Sequence, residues 1–126
     1  WFIGLSTQAV SGATQANVLA GEPVIGTGSY ARIVVPNNLI NWTAATYSIP
    51  TATIASAATF SFPASTAAWN PATNMIQVFL CDTATGTTAG TNVNVFGYGA
   101  LTTPQAVAAS GITLSFASTA LTITLA

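Results

Sequence analysis

Only three side chains in this sequence carry a formal charge: Glu22, Arg32 and Asp82. It contains no Lys, no His and a single cysteine, Cys81. Most acid, base and nucleophile chemistry is therefore excluded by inventory. A Ser-His-Asp or Cys-His site lacks its imidazole, and Cys81 lacks a base to activate it. A zinc site would need several thiolates or imidazoles. Glu22 and Asp82 are the only pair that could act as glycosidase carboxylates, a chemistry that needs them across a cleft at a set separation. No catalytic, metal-binding or cofactor-binding residue is expected. The string Gly26-Thr27-Gly28-Ser29-Tyr30-Ala31 has dinucleotide-like glycine spacing, but strand-like Arg32-Ile33-Val34-Val35 follows where a helix is required. Those glycines are expected to form a turn.

The same scarcity of charge limits the partners. Charged residues are 2% of the chain, against about 25% in ordinary soluble domains. One arginine cannot neutralise several phosphates, so no nucleic-acid partner is expected. No apolar run approaches the roughly 18 residues of a spanning helix, so no membrane partner is expected either. Net charge is −1. The surface must then rely on Thr, Ser, Asn and backbone groups, or be covered by partners. Arg32 lies among apolar neighbours, and a buried guanidinium needs a partner, either a carboxylate or else backbone carbonyls or another subunit. Glu22 and Asp82 are the available intrachain partners, so Glu22, Arg32 and Asp82 are the structural ion-pair candidates. Asp82 also fits a turn position at a strand end. Trp42, Trp69, Tyr47 and Tyr98 are broad, stiff and polar at one edge, and are candidates for interface or glycan contact.

The elements that position these residues read as β. The length of 126 residues fits one domain, 1–126. Short runs rich in Thr, Val, Ile and Phe are separated by turn residues. Strands are expected at 1–5, at 30–35, in a stretch ending Thr59-Phe60-Ser61-Phe62, and in a hairpin formed by Met75–Cys81 with 92–100. Leu121-Thr122-Ile123-Thr124-Leu125 alternates apolar and hydroxyl residues strictly, which places them on opposite faces. Ile112, Leu114 and Phe116 alternate just before it, and the short Ala117-Ser118-Thr119 link predicts a second hairpin. Pro36, Pro50, Pro63, Pro71 and Pro104 fall near strand ends, where a missing N–H is tolerated. The best helical segment is 14–20, which is short. About eight short strands predict an all-β chain, an antiparallel β-sandwich or jelly roll. Cys81, in an apolar strand, is expected to be a buried small hydrophobe.

Several blocks, in order, resemble a family of small bacteriophage virion proteins often labelled tail-fibre-like. They are Trp1-Phe2-Ile3-Gly4-Leu5-Ser6-Thr7, then Glu22-Pro23-Val24 through Gly28-Ser29-Tyr30-Ala31-Arg32. Phe62-Pro63-Ala64-Ser65-Thr66-Ala67-Ala68-Trp69 and Phe79-Leu80-Cys81-Asp82-Thr83-Ala84-Thr85-Gly86 follow. Gly99-Ala100-Leu101-Thr102-Thr103-Pro104 and the segment 114–125 complete the set. The resemblance implies a structural protein of a tailed phage with no catalytic site. The expected role is a capsid cement or decoration protein on the outside of the head. It would associate with the major capsid protein and with copies of itself. The alternative is a tail-fibre or baseplate module that binds host glycans.

Overall fold

The computed structural model describes residues 1–8, 14–70, 73–87 and 92–125. Among these, nine strand segments and one short helix follow in order: β1 (Phe2–Ser6), α1 (Gln15–Ala20), β2 (Ile33–Val34), β3 (Thr46–Ser48), β4 (Thr51–Ala55), β5 (Phe60–Ser61), β6 (Met75–Cys81), β7 (Val95–Gln105), β8 (Ser115–Phe116) and β9 (Thr122–Leu125). Every strand pairing is antiparallel. Among the described residues the chain is all-β apart from α1 and a 3₁₀ turn at Thr27–Ser29. It gathers into two compact units, Trp1–Val34 with Phe62–Leu114, and Val35–Ser61 with Ser115–Ala126.

The first unit holds a four-stranded sheet in the order β2-β1-β6-β7. Along β6, Met75, Gln77, Phe79 and Cys81 are buried and the residues between them are half-buried. Period two therefore sets one face inward. Gln77 obeys that alternation despite its polarity, and among the described residues neither of its amide atoms has a hydrogen-bond partner. The expected pairing of β6 with β7 forms, with Phe79 opposite Tyr98 and Leu80 opposite Gly97, but the second strand runs Val95–Gln105 rather than 92–100. The register slips between Leu80 and Cys81, and again between Met75 and Gln77, where Leu101 to Pro104 fall outside the regular ladder. Thr14 caps α1 by accepting the Asn17 amide at its hydroxyl, which satisfies one orphan donor of the first turn. Val18 and Leu19 of α1 then pack with Phe79, Cys81, Val93 and Val95.

Two glycines are required by packing. Gly4 lies opposite Phe79 in the β1–β6 ladder, and a Cβ there would fall 2.6 Å from the ring Cε1. Gly28 has φ +57°, and a Cβ would stand 2.5 Å from the Ala67 carbonyl oxygen. Its own carbonyl accepts the Trp69 indole N–H at 2.9 Å. Tyr30 stacks on Phe62 and meets Trp69 edge-on, with centroids 6.1 and 5.1 Å apart. This aromatic cluster forms a second core within the unit.

The second unit holds the sheet β3-β4-β9 and the short ladder β5-β8. Here the structure corrects the expected final hairpin. Phe116 pairs with Phe60 of β5, whereas Ile123 pairs with Ile54 of β4. The link between β8 and β9 carries the chain from one ladder to the other, and Thr119 takes φ +66° to make the turn. Ser56 anchors the crossing: its amide donates to Leu121 O at 2.8 Å and its carbonyl accepts the Thr119 amide at 2.6 Å. Trp42 and Phe60 are buried and lie with ring centroids 5.6 Å apart.

Candidate functional site

Two of the three charged residues, Glu22 and Arg32, form a structural centre in the first unit. Arg32 stands immediately before β2 with its side chain 0% exposed, and the side chain of Glu22 is 3% exposed. Glu22 Oε1 accepts Arg32 Nε at 2.8 Å and Oε2 accepts Nη2 at 2.6 Å, a bidentate fork. The other donors of the guanidinium meet backbone carbonyls. Nη1 donates to Thr83 O and Thr85 O, and Nη2 to Gly86 O. All five guanidinium N–H groups therefore have acceptors. Arg32 Cζ also lies 5.5 Å from the Phe79 ring centroid, within cation–π range.

Burial alone would lower the pKa of Arg32. The hydrogen bonds to Glu22 and its negative charge outweigh that effect, and the guanidinium is held above its ordinary value. Tyr30 extends the network by donating its hydroxyl to Glu22 Oε1 at 2.8 Å while accepting the Leu5 amide at 3.0 Å. Burial, and then the charge of Glu22, push the phenol well above its usual range. Burial likewise raises the Cys81 thiol, which opposes formation of the reactive thiolate.

Asp82 takes no part in this centre. It is exposed and closes the β6–β7 connection by accepting the Asn94 backbone amide at 2.9 Å and the Asn94 side-chain amide at 2.5 Å. Those two bonds hold its carboxyl below the usual carboxylate range. Of the ion-pair candidates, Glu22 and Arg32 come together and Asp82 serves the turn. Glu22 thus bonds Arg32 and Tyr30, and Asp82 bonds Asn94.

The aromatic candidates divide sharply. Trp42 and Trp69 are 2% and 4% exposed. Their rings belong to cores, which corrects their assignment as surface contacts. Tyr47 and Tyr98 are 72% and 41% exposed. Strand alternation in β7 carries Phe96 and Tyr98 outward together.

The most open surface belongs to the second unit. Its two segments contain no charged residue. Leu39, Ile40, Tyr47 and Ile49 are all more than 70% exposed. No described side chain of β3, β4 or β9 is buried. Register separates two faces of this sheet. Tyr47 stands opposite Ala52, and Ile54 opposite Ile123, giving an apolar face. Thr46 pairs with Thr53, Thr53 with Thr124, and Ser48 with Thr51, giving a hydroxyl face. Thr53 and Thr124 hydroxyls lie 3.3 Å apart, and Thr46 Oγ1 donates to Thr53 O at 3.3 Å. A three-stranded sheet depends on burying a face for its stability, so this surface is suited to association. The alternation in Thr51-Ala52-Thr53-Ile54 was the available sequence signal for it.

No protein-family model, curated protein or solved structure matches this chain. Its function must be inferred from its own residues.

Proposed function

We propose that the chain is a non-enzymatic structural protein of a tailed-phage virion. The first reading is a capsid cement or decoration protein on the head exterior, bound to the major capsid protein and to copies of itself. The carrying observation is the uncharged second unit, whose sheet β3-β4-β9 buries no described side chain fully, with exposed Leu39, Ile40, Tyr47 and Ile49. Docking such a surface removes apolar area from water at about 25 cal/mol per Å², with no charge to desolvate. An antiparallel sandwich or jelly roll is the architecture this reading expects.

The test is the copy number of this chain in purified particles, measured by quantitative mass spectrometry against the main shell protein. A ratio near that of a shell component supports cement or decoration. A small fraction moves the chain to the tail, and absence overturns the virion reading. Binding to shells should hardly weaken with added salt, because screening acts on charges.

Exposed Tyr47 and Tyr98 favour the second reading, a tail-fibre or baseplate module that stacks on host glycans. Glycan-array binding lost in Tyr47→Ala or Tyr98→Ala would select it.

A further inference from the structure

We propose that β9 pairs with β9 of a second copy, antiparallel and about a twofold axis at Ile123. Among the described residues β9 is an outer strand of its sheet, with β4 on one side only. Edge strands are normally guarded by charges, proline, a bulge or extreme shortness. The other outer strands carry such guards. β2, β5 and β8 have two residues each, β7 ends in an irregular stretch containing Pro104, and β3 runs into Pro50. The segment 121–125 has no charge, no proline and no glycine.

Its sequence selects the occupant. Leu121-Thr122-Ile123-Thr124-Leu125 reads the same in both directions. Antiparallel self-pairing centred on Ile123 therefore sets Ile opposite Ile, Thr opposite Thr, and position 121 opposite position 125. Like residues share a face in such a pair, so both the apolar and the hydroxyl face of β3-β4-β9 continue into the second copy. The hydrogen-bond phase agrees. The Ser56 amide donates to Leu121 O, and inward bonding alternates along an antiparallel edge. Residues 121, 123 and 125 therefore address β4, and Thr122 and Thr124 present their amides and carbonyls outward. Around the proposed axis those groups form about four bonds, between Thr122 of one copy and Thr124 of the other, with Ile123 at the close, non-hydrogen-bonded position. An isologous contact of this kind closes as a dimer. No like charges are brought together, since the second unit has none.

This proposal deepens the self-association part of the virion reading. Its test uses the purified full chain, so its failure and absence of the chain from particles are separate results. Sedimentation equilibrium of the wild type should give a dimer at about 100 µM. Thr124→Pro deletes one outward N–H without touching the inward bonds of β4, and should raise the dissociation constant at least about tenfold. Thr124→Val keeps the N–H while losing the hydroxyl contact to Thr53, and should remain a dimer. A cross-link that does not depend on proline tolerance comes from Ile123→Cys, which should oxidise to a covalent dimer through its own symmetry mate. Thr46→Cys, on the opposite edge, should not. A monomeric wild type, a Thr124→Pro dimer of unchanged affinity, or failure of Ile123→Cys to cross-link would each overturn the pairing.

Discussion

Replacing Glu22 by Gln should be among the most damaging conservative changes available to this chain. The carboxylate accepts three hydrogen bonds, one from Tyr30 and two from Arg32. Gln keeps one oxygen, which can still serve Tyr30 and Arg32 Nε. Its amide nitrogen then faces Arg32 Nη2, a donor against a donor. The larger loss is electrostatic, because Arg32 remains a cation with its side chain fully buried and its remaining acceptors are neutral carbonyls. Removing one partner of a buried pair costs about 3–5 kcal/mol. That is a large share of the roughly 5–15 kcal/mol that holds a domain together. Urea denaturation followed by near-ultraviolet circular dichroism should show the midpoint falling with little change in slope. The double variant Glu22→Gln with Arg32→Met should be less destabilised than the sum of the two singles, by about 1–3 kcal/mol. A cost for Glu22→Gln below about 1 kcal/mol, the value of an exposed pair, would refute this account of the centre.

Gly4→Ala should cost about 1–3 kcal/mol, because the added methyl overlaps the Phe79 ring beneath α1 and the core must shift to admit it; thermal melts measure it. Stability should hold through neutral pH and fall above about pH 10, where unfolded tyrosine ionises. The folded pKa of Tyr30 is raised by burial and by Glu22, so its contribution is complete below the unfolded pKa and is lost as pH climbs through the folded one. Absorbance at the tyrosinate band should show Tyr30 ionising together with loss of near-ultraviolet dichroism. Cys81, buried and with its thiol pKa raised, should resist iodoacetamide in the native chain and react at least about a hundredfold faster in urea. Comparable rates read by mass spectrometry would show the site to be open.

The sequence by itself determined the β class, since period-two alternation is a local property visible in Met75–Cys81 and in 121–125. It also determined that a buried Arg32 needed partners, and that an intrachain carboxylate partner had to be Glu22 or Asp82, the only two acidic residues. The choice of Glu22 over Asp82 was tertiary. So was the capture of Thr83, Thr85 and Gly86 carbonyls, more than 50 positions along the chain from Arg32. Alternation shows which residues share a face but not which strand lies alongside. The proximity of β8 and β9 in sequence therefore suggested a hairpin, whereas β8 joins β5 and β9 joins β4. Aromatic residues carried the same ambiguity. Trp42, Trp69, Tyr47 and Tyr98 are alike in chemistry, and only packing sent the first two inside and left the others exposed. Side-chain type decides what a residue tolerates, whereas contacts between distant segments decide where it stands.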